Sequence, residues 1–206
     1  MQIGRYTVVR TLGEGGMATA LLARSPAGDE VVLKVPHQGS SEAFDRVRDE
    51  ARVGIRLSHP NVVETLDLFE HEGKPVLVVR YVEGCSLREG WRGGPMAPAA
   101  VVRVGAHIAD ALRAIHEATD EHGRPLAMLH RDVAPGNVLL TIDGGAQLID
   151  LGIARSAENQ AKRTAIGVIK GTLRYLAPEV LEGKDYSAAG DALRVNMRQM
   201  ANSWSN

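Results

Sequence analysis

The sequence predicts an α+β chain in two parts, a small five-stranded antiparallel sheet with one helix, followed by a mainly helical part. Three observations predict it. Five short runs rich in β-branched and apolar residues fall before Val82, a single stretch among them has helical period, and the longest helical pattern begins near Ala99.

Tyr6–Leu12 and Thr19–Arg24 flank Gly13-Glu14-Gly15-Gly16 and read as a hairpin with a glycine-rich tip. Val31–Val35 is the third strand, entered through the turn Ser25-Pro26-Ala27-Gly28-Asp29. From Ser41 to Leu57 the period becomes helical: Phe44, Val47, Ala51 and Ile55 recur at three or four residues, and Ser41 stands where a cap belongs. Val62–Phe69 and Val76–Tyr81 complete the sheet, separated by His71-Glu72-Gly73-Lys74-Pro75. Residues 84–95 are glycine-rich and end in Pro95, which marks a hinge or linker region. A helix then runs from about Ala99 to Ala118 with Val101, Gly105, Ile108, Leu112 and Ile115 on one face. Val138–Thr141 and Ala146–Ile149, joined by Ile142-Asp143-Gly144-Gly145, read as a second hairpin, and residues 152–176 as a long functional loop. The expected division is 1–83, the hinge at 84–95, 96–191, and a tail at 192–206.

Composition narrows the function classes. With 44% apolar and 24% charged residues in 206, a net charge of −1 and no long run of one sign, nothing marks a nucleic-acid partner. Cys85 is the sole cysteine, which excludes an internal disulfide and a cysteine-based zinc site and is expected to be a small buried residue in a reducing compartment. No signal pattern opens the chain and no stretch nears the ~18 apolar residues of a membrane span, so a cytoplasmic location without a membrane segment is expected.

Chemistry is carried by a series of motifs. LGEGGMATA at 12–20 brings glycines, whose missing Cβ lets backbone N–H groups approach phosphate oxygens; the same residues also make an ordinary hairpin turn, and alone they do not separate the two readings. VVLK at 31–34 sets Lys34 on a strand, with Glu50 central in the following helix as its matching acid. His130-Arg131-Asp132-Val133-Ala134-Pro135-Gly136-Asn137 precedes the second hairpin, Asp150-Leu151-Gly152 follows it, and GTLRYLAPE occupies 171–179.

In this order and spacing the motifs, spanning positions 12–179, resemble the eukaryotic-type (Hanks-type) serine/threonine protein kinase catalytic domain. The resemblance implies a bilobal protein-kinase-like fold, ATP and Mg2+ as cofactors, and transfer of the γ-phosphoryl group to Ser or Thr hydroxyls of protein substrates, autophosphorylation included. It assigns the acceptor proton to Asp132 and the metal to Asn137 and Asp150. Lys34, fixed by Glu50, would take the α and β phosphates, and Gly13, Gly15 and Gly16 would cover them. Adenine would lie among Leu12, Ala20, Val32 and Leu139, bonded to backbone near Arg80–Val82. Thr172 would contact Asp132. Thr164, next to Lys162 and Arg163, is the candidate for activation-loop phosphorylation, an unmodified solvent-facing threonine being the other reading. Asp191 stands in the place of the family's anchoring aspartate.

The sequence departs from the family pattern at several points. Ala18 replaces the third glycine, Ala20 the following valine, and Leu151 the phenylalanine after the metal aspartate. Ala134 stands where serine/threonine kinases carry a lysine that neutralises the γ phosphate; tyrosine kinases also have alanine near this place, while VAPGN and GTLRYLAPE favour the serine/threonine class. Residues 192–206 lack the apolar stripe expected of the next helix, which suggests a C-terminal truncation or a divergence near Ala192. Two further readings follow from these departures: a nucleotide- or partner-binding pseudokinase-like module, and an inactive truncated kinase remnant.

Overall fold

The computed structural model describes residues 1–16, 18–37, 41–126, 128–151 and 187–194. They divide into two compact units, residues 1–58 with 63–82, and residues 59–62 with the described chain from Glu83 onward.

The first unit is an antiparallel sheet of β1 (Gln2–Ile3), β2 (Tyr6–Glu14), β3 (Ala18–Arg24), β4 (Glu30–Pro36), β5 (Thr65–His71) and β6 (Lys74–Arg80), in the order β1-β2-β3-β4-β6-β5. The expected five strands are present with a two-residue edge strand added, too short to leave a periodic signal. Strand alternation sorts the side chains. Leu33 and Val31 of β4, Ala23 of β3 and Val76 and Val78 of β6 form one buried cluster with Ile3 and Tyr6, each large aliphatic contributing about 1.5–3 kcal/mol. Phe69 stacks on Tyr6 with ring centroids 5.5 Å apart and seals its edge.

On β4 the intervening residues Val32 and Lys34 lie on the other face, from which Lys34 reaches α1 (Ser41–Gly54). This helix buries Ala43, Val47 and Ala51. Ile55, expected on that face, is 56% exposed. The reason is local: at Gly54 the helix comes so close to β5 that a Cβ would lie within 2.0 Å of Thr65 Oγ1, and the chain turns out of the helix there, with Leu57 buried in place of Ile55. The fourth expected strand also starts later. Val62 pairs in parallel with Leu148, and Asn61 exchanges bonds with Leu148 N–H (2.8 Å) and Ala146 O (2.9 Å), so residues 59–62 belong to the second unit.

The second unit holds β7 (Gly84–Ser86), α2 (Leu87–Gly90), α3 (Pro98–His116), β8 (Val138–Thr141), β9 (Ala146–Leu148) and α4 (Ala188–Arg194). The three strands form a sheet in the order β7-β8-β9. Helix α3 buries Val101, Val104, Gly105, Ile108, Ala111, Leu112 and Ile115, the face that its sequence period predicts. Residues 84–95, expected as hinge or linker, carry β7, α2 and a 3-10 turn. Cys85 is exposed, contrary to expectation, because it sits on the short edge strand β7 opposite Leu140. Among the described residues no helix is long and apolar enough to cross a membrane.

Candidate active site

The first unit supplies a cation fixed by an acid. Lys34 stands on β4 opposite Ala20 of β3 and Leu77 of β6, and its Nζ donates to Glu50 Oε1 of α1 at 2.5 Å, with the two side chains only 15% and 19% exposed. Partial burial on an apolar surface is what gives this pair a defined geometry. Leu12 and Gly13 lie just before the end of β2 at Glu14, and Gly15 N–H closes the tip on Ala18 O at 2.9 Å, with Gly13, Gly15 and Gly16 exposed. Val32 lies two residues before Lys34 and shares its side of β4. Arg80 ends β6 with its guanidinium on Glu64 and its N–H on Glu64 O (2.9 Å), and Val82 follows outside the strand.

The second unit gathers the acids. Pro135–Asn137 forms a 3-10 turn ahead of β8, and the side chain of Asn137 folds back so that Nδ2 donates to Asp132 O (2.9 Å) and Asp132 Oδ2 (3.0 Å). The Asn137 carbonyl accepts Ile149 N–H at 3.0 Å, which ties Asp150 beside Asn137. Leu139 follows in β8, half-buried, and Leu151 is buried. Arg131 and Asp150 both adopt a left-handed backbone, φ 60°, at about 1–3 kcal/mol each. Strain of that kind persists only where surrounding bonds hold it.

For Arg131 the holding group is Asp191 of α4. Its carboxylate is fully buried and accepts the N–H groups of His130 and Arg131, each at 2.7 Å, and stands 2.9 Å from His116 Nε2 at the end of α3. The resemblance placed Asp191 as an anchor; His116 as its third partner had no signal in the sequence beyond its place in the last turn of the helix.

His130 holds the loop from inside. It is fully buried, its Nε2 bonds Ile149 O at 3.2 Å, and its Nδ1 accepts Asp132 N–H at 3.3 Å. A carbonyl can only accept, so Nε2 carries the proton and Nδ1 must stay bare. Burial pushes the imidazole below its ordinary value, outweighing the upward pull of Asp191, Asp132, Ile149 O and Asp150. The sign follows: below the unfolded value near 6.5 the unfolded chain binds a proton more readily than the folded one, so stability falls as pH drops, with a slope of at most about 1.4 kcal/mol per pH unit. Between pH 6.5 and 5.5 the unfolding free energy is therefore expected to fall, by at most about 1 kcal/mol from this group, and the His130→Gln variant to lose this slope. Equal slopes by urea denaturation in both proteins would disprove the linkage.

The hard oxygens of Asn137 and Asp150 suit a divalent cation with oxygen ligands: among the described residues the Asn137 amide nitrogen is committed to Asp132, which turns its Oδ1 to the free side. Lys34 with Glu50 is one expected pairing that the structure brings together and Asp132 with Asn137 is another, while Asp150 follows Ile149, whose N–H bonds Asn137 O. Thr164 and Thr172 lie outside the described residues.

A family model described as protein kinase domain matches residues 6–195. The chain is 38% identical over 200 residues to the tyrosine-protein kinase MasK of Myxococcus xanthus, covering 91% of this chain and 31% of that protein. It is 34% identical to the probable serine/threonine-protein kinase pknA2 of Bifidobacterium longum, covering 94% of this chain and 26% of that one. The chain thus spans about a third or less of these relatives' length. Among solved structures, the PknI kinase domain of Mycobacterium tuberculosis superposes with a TM-score of 0.70 at 27% identity, over 95% of this chain and 72% of that chain. An α+β fold with an antiparallel sheet unit, the paired Lys34 and Glu50, the Asp132-Asn137 loop and these matches agree, and the chain belongs to the protein kinase domain family.

Proposed function

We propose that this chain is the catalytic domain of an ATP- and Mg2+-dependent protein kinase that phosphorylates Ser or Thr hydroxyls, on partner proteins and on itself. The observation that carries the proposal is the hydrogen-bonded group of Asp132, Asn137 and the Ile149 backbone N–H, one residue before Asp150. In the reaction the substrate hydroxyl oxygen forms a bond to the γ phosphorus, the bond from that phosphorus to the β-bridging oxygen breaks, ADP leaves, and the hydroxyl proton passes to the Asp132 carboxylate. Asn137 holds that carboxylate in place. Asn137 Oδ1 and Asp150 would hold Mg2+, which when bound neutralises phosphate charge. Lys34 pairs with the α and β phosphates while Glu50 orients its ammonium, Gly13, Gly15 and Gly16 offer N–H groups to the phosphates, and the Val82 backbone meets adenine beside Leu12, Ala20, Val32 and Leu139. Thr164 is the proposed phosphorylation site and Thr172 a contact of Asp132.

Tyrosine acceptors are the second reading. Ala134 and the name of the Myxococcus relative favour them, whereas GTLRYLAPE and the serine/threonine kinases among the relatives favour Ser and Thr. Transfer of 32P from Mg-ATP to a generic basic protein and to the chain itself, followed by phosphoamino-acid analysis, separates them. Phosphoserine and phosphothreonine are expected; phosphotyrosine alone would overturn the acceptor class, and thermal stabilisation by Mg-ATP with no transfer would leave a binding module.

Removing the acid from the Lys34 pair should act on nucleotide. Glu50→Gln keeps the shape but drops the charge that orients the ammonium, and KM for ATP is expected to rise about tenfold, the equivalent of one charge-assisted bond. An unchanged KM would show that Glu50 does not position Lys34.

A further inference from the structure

Ser86-Leu87-Arg88-Glu89 has the spacing of a reciprocal helix cap, and the cap is formed: Ser86 Oγ accepts Glu89 N–H at 3.2 Å and Ser86 N–H donates to Glu89 Oε2 at 2.9 Å. β7 enters this cap paired with β8, Ser86 opposite Leu139, and Leu87 is 1% exposed. A capped turn pinned by a buried leucine fixes the backbone from which Arg88 projects. Its guanidinium lies over Gly136 of the Pro135–Asn137 turn, where a Cβ would stand 2.9 Å from Nη2 and 3.1 Å from Cζ. A side chain at 136 would displace the cation; glycine lets it rest on the loop.

The guanidinium is available. Arg88 is exposed, and among the described residues it has no hydrogen bond or ion pair. Glu89, the adjacent acid, is committed to Ser86, whose hydroxyl and N–H hold its carboxyl below the usual range. Position matters as well. Successive residues of a 3-10 turn point about a third of a turn apart, so the side of Gly136 that meets Arg88 is not the side of Asn137 that meets Asp132. The cation therefore stands beside the acceptor position, off the path of the transferring phosphate.

A planar guanidinium with paired donors matches a carboxylate. We infer that Arg88 selects polypeptide substrates with an acidic side chain two or three residues from the acceptor hydroxyl, an inference that rests on the phosphotransfer reading above. The spacing follows from an extended substrate, which advances about 3.3 Å per residue, across the short step from Asp132 through Asn137 to the loop residue beneath Arg88.

Peptides carrying one serine in a neutral sequence, with Asp or Lys placed two and three residues before or after it, test this directly. The wild-type chain is expected to favour one Asp series over the neutral peptide by about threefold to tenfold in kcat/KM, carried by KM, as for one exposed charge-assisted pair. Arg88→Ala should bring that ratio to about one and Arg88→Glu should invert it toward the Lys peptides. The same ratio in wild type and Arg88→Ala overturns the inference, and uniform slowing on every peptide would instead place the guanidinium on the phosphate, in the role of the lysine missing at Ala134. Fluorescence anisotropy of labelled peptides reads the preference without turnover. Arg88-dependent binding of the acidic peptide without transfer sustains the recognition and sinks the phosphotransfer reading, while charge-independent binding sinks the recognition itself.

Discussion

Asp132→Asn is expected to slow phosphoryl transfer about 10²–10⁴-fold, the usual share of a positioned general base, while leaving the fold in place. The substitution is nearly isosteric. An asparagine at 132 still offers an oxygen to Asn137 Nδ2, and the Asp132 carbonyl and N–H keep their bonds to Asn137 and His130. The loop should hold its shape, and unfolding free energy should change by less than about 1 kcal/mol. What is lost is the capacity to take the hydroxyl proton, so the effect should fall on kcat with KM for ATP little changed. Single-turnover 32P transfer with matched urea melts checks both halves. Transfer within about threefold of wild type would remove Asp132 from the reaction, and a collapse in stability would make it a structural residue.

Much of this site is legible in the sequence where local geometry carries it. The face of α3 follows from residues three and four apart, and β8 and β9 follow from two apolar runs around a turn of Asp and Gly. Lys34 is legible because β4 alternates, with Val31 and Leu33 buried and Lys34 turned to the other side. Asp132 and Asn137 are legible because five residues with one tight turn bring their side chains together. What depends on distant pairing leaves no periodic trace. The S-x-x-E cap at 86–89 is readable, but that it sets Arg88 on Gly136 depends on β7 joining β8, some fifty residues on. Val62 reads as strand yet bridges to Leu148, and Ile55 has the right period but lies past the point where Gly54 meets Thr65. Cys85 reads as core by type and is exposed by its place on an edge strand.

Asp191 shows what such distant contacts contribute, and its removal is the second large effect expected. One buried carboxylate takes the N–H groups of His130 and Arg131 and lies on His116 Nε2, contacts 60, 61 and 75 residues apart in sequence. Asp191→Ala leaves those donors without an acceptor in a place closed to water. At about 1–3 kcal/mol for each orphaned group, less what relaxation recovers, the loss should be roughly 3–5 kcal/mol, a large part of the ~5–15 kcal/mol that stabilises a domain. Asp191→Asn is the finer probe, since its single oxygen and its NH2 group face donors, and it should cost about 1–3 kcal/mol while the chain stays folded. In that variant Arg131 loses part of what holds its left-handed backbone, and Asp132, the next residue, moves with it. A displacement on the order of 1 Å is enough for about a 10²-fold loss of rate. The loss should appear in kcat and spare KM for ATP, because Lys34 and Glu50 belong to the other unit. A purely structural aspartate would lower the melting point and leave kcat of the folded fraction intact, and that outcome in Asp191→Asn would refute a positioning role.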